Sequence, residues 1–167
     1  MKLEALKLGP GDKVDQLTFV RADGSASRIT LPRQGILPHD LLHFVVESAL
    51  PFRHGFLSMV ADGADATFAM SALHAADAAV RAAEGAQVEA LVEALQTQLW
   101  AGGFDAAAFL DGVTLACESR GVASPALGDV DFEAVLFDRA IDLNAQWAGL
   151  APKQSMTLVF ERRGQVA

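Results

Sequence analysis

The segment from Gly35 to Pro51 constrains the fold most, because prolines mark both ends of a helix within it. Pro38 suits the first turn of a helix, where its missing N–H is not needed, and Asp40 would then lie near the positive end of the helix dipole. Pro51 cannot continue a helix and biases the residue before it away from the α conformation. The segment therefore predicts a helix of about 12 residues, about 18 Å long.

This predicted helix has two chemically different faces. One side carries a wide stripe of leucine, phenylalanine and valine side chains, and a stripe of that width faces the core of a protein. His39, His43 and Glu47 follow one another at a spacing of four residues, so they lie in one line on the opposite side. We interpret this line in two ways: as an ordinary solvent-exposed face with a His43/Glu47 pair one turn apart, or as part of a metal site.

Two histidines four residues apart on a helix can present both imidazoles to one metal ion, and His39 and His43 have this spacing. Glu47 does not complete the set, since eight residues correspond to about 12 Å of helix rise, whereas metal–ligand bonds are about 2 Å long. A third ligand has to come from elsewhere. His54 is the candidate, because the chain turns at Pro51 and can fold back towards the helix.

The order His39-Asp40-x-x-His43 resembles the H-E-x-x-H motif of zinc hydrolases. This resemblance implies that both histidines bind the metal and that Asp40 takes the position of the general base. Asp40 is one methylene shorter than the glutamate of that motif, and no histidine or glutamate follows at one of its usual short spacings. His39-Asp40 is also similar to the central pair of the HD phosphohydrolases, but those enzymes have an earlier histidine that this chain lacks.

The candidate catalytic residues are accordingly Asp40 and Glu47, each as a base or as a support for a ligand. The candidate metal ligands are His39, His43 and His54, and the candidate cofactor is zinc or another divalent metal.

The two ends of the chain have the alternating pattern of β-strands, and the middle has helical periodicity. Turn residues at 9–12 and at Asp23-Gly24 separate three short predicted strands, and residues 155–162 form a further strand that is predicted to pair with these hairpins. Helices are predicted over residues 55–61, from Thr67 to Gly85, from Val88 to Gly102, from Asp105 to Gly121, and from Asp129 or Asp131 to Gly149.

These elements predict an α+β fold in one domain that spans residues 1–167. A small antiparallel sheet, made of the N-terminal hairpins and the C-terminal strand, should be covered by a central helical segment. Cys117 is the single cysteine, so the chain has no disulfide framework, and we expect it to be a small buried residue in a reducing compartment. The N-terminus lacks the apolar run of a signal peptide, and the expectation is a soluble cytoplasmic protein.

The distribution of charge along the chain indicates which kinds of partner it can bind. Residues 54–150 carry fourteen acidic side chains and three arginines, within a chain of net charge −8. Such a field repels phosphate backbones and anionic lipids, and the chain has no tyrosine and few other aromatic side chains on which bases could stack. We therefore expect neither nucleic acid nor a membrane surface as a partner.

Two functions of different class remain, since the chain has no phosphate-binding loop, dinucleotide fingerprint or nucleophile elbow. One is a divalent-metal-binding protein or small metal-dependent hydrolase built on the helix of His39 and His43. The other is a non-catalytic interaction or oligomerisation protein, whose alanine-rich acidic helices pack against a protein partner or form a homo-oligomer. From sequence we favour the second, because one histidine pair without a matched third ligand is common by chance.

Overall fold

The computed structural model describes residues 1–69 and 79–162 of the chain. The strands are β1 (Lys2–Leu6), β2 (Val14–Val20), β3 (Ala26–Pro32) and β4 (Ser155–Val159). The helices are α1 (His39–Ala49), α2 (Phe56–Ala61), α3 (Ala79–Ala101), α4 (Ala106–Ser119) and α5 (Asp138–Gly149), with a π-helical turn at Glu133–Phe137 directly before α5.

The four strands form one antiparallel sheet in the order β3-β2-β1-β4. In the register of this sheet, Leu3 of β1 lies opposite Phe19 of β2 on one side and opposite Leu158 of β4 on the other. The prediction that the C-terminal strand joins the N-terminal hairpins is therefore confirmed. Alternate residues of each strand point to the helices, as the period of two requires, and the fully buried ones are Leu3, Ala5, Leu17, Phe19 and Leu31.

The helices pack on this inward face of the sheet, and the predicted α+β class is confirmed. Helix α1 packs against α2 and α3, and α3 packs in turn against α4. Ring contacts connect the layers: the centroid of Phe56 in α2 lies 5.6 Å from that of Phe19 in β2 and 5.3 Å from that of His43 in α1. Helix α1 is consequently enclosed by other elements along most of its length.

The ends of α1 follow from its prolines, as predicted. Pro38 is the N-cap, and its carbonyl accepts the first helical hydrogen bond from the N–H of Leu41 at 2.9 Å. Leu50, which precedes Pro51, has an extended backbone with φ −110° and ψ 154°. This conformation is the one that a following proline favours, so the helix stops at Ala49.

One predicted helix boundary, near Gly85, is wrong, and another, at Asp105, is confirmed. Helix α3 runs without interruption through Gly85, so the predicted break near that residue is wrong. A glycine inside a helix costs only about 1 kcal/mol, and the burial of α3 against its neighbours outweighs that cost. Residues 70–78 of the helix predicted from Thr67 lie outside the described part of the chain. Asp105 caps α4 as predicted, because its Oδ1 accepts a hydrogen bond from the N–H of Ala108 at 3.0 Å.

Asp15 is a buried carboxylate at the edge of the inward face. Its oxygens accept hydrogen bonds from Arg33 Nε at 3.0 Å and Nη2 at 2.6 Å, and from the N–H of Leu8 at 2.9 Å. Burial acts to raise the pKa of Asp15, but the hydrogen bonds from Arg33 and Leu8 outweigh it and hold that pKa below its ordinary value.

Replacing Asp15 by asparagine is expected to lower the free energy of unfolding by about 2 kcal/mol at pH 7, the usual value of hydrogen bonds to a charged group. The pKa is lower in the folded than in the unfolded state, so this stabilisation is complete above about pH 4 and is lost as the pH falls through the folded-state value. Urea titrations give the free energy of unfolding of the wild-type protein and of the variant at pH 7 and pH 3. The difference between the two proteins should be smaller at pH 3 than at pH 7. A difference of equal size at both pH values would contradict the expectation.

Candidate metal centre

Most of the polar line of α1 is buried, and only His39 at its start is partly exposed. The side chains of His43 and Glu47 are 0% exposed and Asp40 is 6% exposed. The interpretation of this line as a solvent-exposed face is therefore wrong. The reason is that α3 packs over α1 at His39 and His43, while the start of α2 covers Glu47.

Helix α3 brings Glu89 to the two histidines. Glu89 Oε1 lies 3.0 Å from His43 Nε2, and Glu89 Oε2 lies 3.4 Å from His39 Nε2. One ligand atom from each of the three residues falls within 4.8 Å of the others. Ligands that bind zinc tetrahedrally with bonds of about 2.0–2.1 Å are about 3.3 Å apart, so both short distances suit a shared ion.

A chain of hydrogen bonds sets the orientation of His39. Gln34 Nε2 donates to the backbone carbonyl of Leu37 at 3.0 Å, which turns Gln34 Oε1 towards Gln96. Gln96 Nε2 donates to that oxygen at 3.0 Å, so Gln96 Oε1 faces His39 Nδ1 at 2.8 Å. A carbonyl oxygen only accepts, so the bond from the imidazole requires a proton on Nδ1. His39 therefore directs its Nε2 towards Glu89.

His43 is oriented in the same sense by Glu47. Glu47 Oε1 lies 3.2 Å from His43 Nδ1 and also accepts from the N–H of Leu57 at 3.0 Å, while its Oε2 accepts from the N–H of Ser58 at 3.1 Å. The Glu47 carboxylate thus accepts from two backbone N–H groups and lies where it can also accept the Nδ1 proton of His43. In metal sites, ligating histidines usually hold their other ring nitrogen on a carboxylate or carbonyl oxygen in this manner. Both imidazoles here have that arrangement.

The contact between His43 and Glu89 is an ion pair if His43 is protonated, but its angles are poor for a hydrogen bond. His43 Nε2 and Glu89 Oε1 are 3.0 Å apart and fully buried, yet neither has a hydrogen-bond partner among the described residues. Two buried polar atoms that approach without a directed hydrogen bond are unusual, because an unsatisfied buried polar atom costs about 1–3 kcal/mol. An ion bound by both atoms would satisfy both.

The electrostatics of the cluster favour a cation at this point. Burial by itself lowers the pKa of His43, but the carboxylates of Glu89 and Glu47 outweigh it and raise that pKa to about 10. Burial acts to raise the pKa of Glu89, but the imidazoles of His43 and His39 hold it well below its usual range. A proton on Nε2 and a metal ion thus compete for one position. Two neutral imidazoles and two ionised glutamates carry two negative charges, which one divalent cation balances.

Asp40 lies beside this cluster, at its boundary with a cavity. Burial raises the pKa of its carboxyl, and the nearby imidazoles of His43 and His39 act in the opposite direction. A cavity of about 670 Å³ is lined by His39 and Asp40, by Thr67, and by residues of β2 and β3 that include Arg28. The side chain of His39 is 28% exposed, whereas those of His43 and Glu89 are buried. The cluster is therefore reached from the side of His39.

The sequence-predicted site residues separate into three groups in the structure. His39, His43 and Asp40 lie together around Glu89, as described. Glu47 lies behind His43, away from the ring nitrogen that faces Glu89. The Nδ1 atom of His54 contacts Glu84 Oε2, outside the cluster that holds His39, His43 and Glu89.

Glu89 was not among the residues predicted from sequence. Its signal is weak but present: Glu89, Val92 and Gln96 follow the helical spacing of three and four residues, so two polar side chains share a face with an apolar one. Glu89 is 2% exposed and Gln96 is 8% exposed. Buried polar side chains need partners, and here the partners of both are on α1 or just before it.

Comparison of the chain with protein-family models, with curated proteins and with solved structures finds no match. None of the helices in the described part of the chain combines the length and the apolar character that a membrane-spanning segment needs.

Proposed function

We propose that this chain binds one divalent metal ion through His39 Nε2, His43 Nε2 and the carboxylate of Glu89, and that the site hydrolyses a small substrate bound in the adjoining cavity. Zinc fits this donor set, because two imidazoles and one carboxylate form a common catalytic zinc site with one position left open. The observation that carries the proposal is the shared orientation of the two histidines. Each has its Nδ1 beside an acceptor oxygen, and each turns Nε2 towards the same buried carboxylate.

A metal-free cluster of ion pairs is the alternative account of this arrangement. Without a metal, a neutral His39 would turn the lone pair of Nε2 towards the Glu89 carboxylate, which is unfavourable. Otherwise His39 and His43 both carry a second proton. Burial acts to lower the pKa of His39, but its hydrogen bonds to Glu89 and Gln96 outweigh burial and raise that pKa. The carboxylates of Glu89 and Glu47 likewise outweigh burial and raise the pKa of His43. The two charged rings, with centroids 5.2 Å apart, would then repel each other. A single divalent ion removes both difficulties.

The chemistry of the site follows from what borders the open side. A divalent cation held here supplies Lewis-acid chemistry that polarises a carbonyl and activates water. Asp40 has a carboxyl group next to His39 and at the edge of the cavity, where it can accept a proton from the attacking water and return it to the leaving group. In that hydrolysis the hydroxyl of water joins the acyl carbon, the bond to the leaving group breaks, and the leaving group gains the proton.

The test of the metal site is elemental analysis of the untagged protein after it has been supplied with zinc and dialysed. The wild-type protein should retain about one equivalent of zinc, and His39→Ala and His43→Ala should each retain far less. His54→Ala is the matched control, because the structure places this histidine with Glu84, and it should retain zinc like the wild type. Retention well below one equivalent in the wild-type protein would overturn the proposal, and loss of zinc in His54→Ala would require a different ligand set.

The amide of Gln96 provides a separate test. Gln96→Leu removes the oxygen that accepts from His39 Nδ1, so it should weaken zinc binding about 10- to 100-fold without removing a ligand. Gln87→Leu is the control on the same helix, since Gln87 donates to the carbonyl of Ala123 and not to the cluster. Titration against a chelator of known zinc affinity measures both variants. Equal zinc affinities for Gln96→Leu and the wild-type protein would show that this oxygen does not orient a ligand.

Protein interaction is a second candidate function, supported by large exposed apolar side chains on α3 and α4. Trp100 is 58% exposed and Leu115 is 65% exposed. Apolar side chains of this size are enriched where proteins bind each other. Light scattering over a 100-fold range of protein concentration tests it. A rise in mass with concentration that Leu115→Ser suppresses would support self-association. A constant monomer mass would exclude self-association and leave only a different protein as the partner of this surface.

A further inference from the structure

The cavity beside the candidate metal centre has an electrostatic asymmetry. Its lining combines His39 and Asp40 of the cluster with Gln16, Arg28 and Thr30 of strands β2 and β3. Arg28 is the fully charged cation among the residues that line this cavity in the described part of the chain. Since the chain has a net charge of −8, a cationic group at this place contrasts with the overall field.

The guanidinium of Arg28 has capacity for a ligand. Its Nε donates to Thr18 Oγ1 at 3.2 Å, across the pairing of β2 with β3, and this bond restrains the side chain. Within residues 1–69 and 79–162, its terminal amino groups form no hydrogen bond or ion pair. A guanidinium presents its donors in a planar fork that matches a carboxylate or phosphate with two parallel hydrogen bonds.

The size of the cavity suits a small molecule. At about 670 Å³ it lies within the range of about 300–1,000 Å³ that is typical of ligand pockets. Ile29 and Pro32 add apolar surface to the lining, against which an aliphatic chain would pack. A ligand in this cavity would meet both the guanidinium of Arg28 and the side of the cluster on which His39 is exposed.

From this arrangement we infer that the substrate is a small acyl compound with an anionic group, a carboxylate by preference, which Arg28 binds while the acyl carbon is placed at the metal centre. This inference depends on the proposed function, because it assigns the substrate class of the same site. Arg28 is here a specificity-determining residue: it holds the far end of the substrate and takes no part in the reaction.

Hydroxamates test the inference, because they bind metal ions directly and can carry a defined tail. The zinc-loaded protein is titrated by calorimetry with the monohydroxamates of malonic, succinic and glutaric acid, and with neutral alkyl hydroxamates of the same chain lengths. Concentrations are kept where the zinc content of the protein does not change. At least one acidic hydroxamate should bind about 10-fold more tightly than its neutral counterpart, and Arg28→Gln should abolish that difference while leaving the neutral compound unaffected. Arg120→Gln, which alters a surface ion pair with Glu93, is the control.

The outcomes separate the two proposals. If neutral and acidic hydroxamates bind the zinc-loaded protein equally, or if the preference survives in Arg28→Gln, the inferred substrate class is wrong and the metal site stands. If the protein holds zinc but binds no hydroxamate, the cavity does not lead to the metal and the inference is again wrong. If the protein retains no zinc, the proposed function fails, and the substrate class fails with it.

Discussion

Replacing Glu89 by glutamine is expected to weaken zinc binding by at least about 100-fold at pH 7. In the proposed site the variant loses the negatively charged carboxylate that both imidazoles face. The side chain keeps its size, so the packing between α1 and α3 is retained. Zinc at 100 times its dissociation constant should raise the free energy of unfolding of the wild-type protein by about 2.7 kcal/mol. The same zinc concentration should leave Glu89→Gln almost unchanged. Chelator competition and thermal unfolding with and without zinc measure the two effects.

Glu93→Gln is the matched control for this experiment. Glu93 lies one turn further along α3, and its Oε1 forms a surface ion pair with Arg120 Nη2 at 2.6 Å. Such a pair contributes about 0–1 kcal/mol, so this variant should bind zinc as the wild-type protein does. If Glu89→Gln also bound zinc with wild-type affinity, the carboxylate would not be a ligand. The cluster would then be a buried network of ion pairs.

Replacing Gly55 by alanine is expected to reduce the free energy of unfolding by about 3 to 5 kcal/mol. Gly55 precedes α2 with φ −74°, a backbone conformation that alanine adopts readily, so the effect is steric. A methyl group at Gly55 would overlap the Glu47 carboxylate, including Oε1 at 2.8 Å. Glu47 has little freedom to move, because it is held by His43 and by the N–H groups of Leu57 and Ser58. Chemical denaturation of the metal-free protein measures this loss.

Gly103→Ala is the control for Gly55→Ala, because a methyl group there would meet no atom within 4 Å. We expect its free energy of unfolding to lie within about 0.5 kcal/mol of the wild-type value. In Gly55→Ala the displaced Glu47 should also release His43 Nδ1, so zinc affinity should fall together with stability. A loss of stability with unchanged zinc affinity would show that Glu47 supports the fold but does not orient a ligand.

The features predicted correctly from sequence are local ones. The alternation of strand residues near both ends, the prolines that bound α1 and the capping residue Asp105 each act through neighbours along the chain. The spacing of His39 and His43 belongs to the same class, because one helical turn is enough to place the two imidazoles side by side. The prediction of a helix break at Gly85 is wrong for the opposite reason: the packing of α3 outweighs the weak tendency of glycine to end a helix.

The sequence by itself determined the α+β class, the limits of α1 and the histidine pair, since periodicity and backbone sterics decide these within a few residues. Only the tertiary structure decided that the polar line of α1 is buried, that Glu89 and not His54 lies against the two imidazoles, and that Glu47 supports His43 from behind. Each of these depends on how α3 and the start of α2 pack against α1. Such packing brings together residues that are far apart in the chain. It depends on how well the surfaces of two elements fit each other, and the spacing of residues within one helix does not predict that fit.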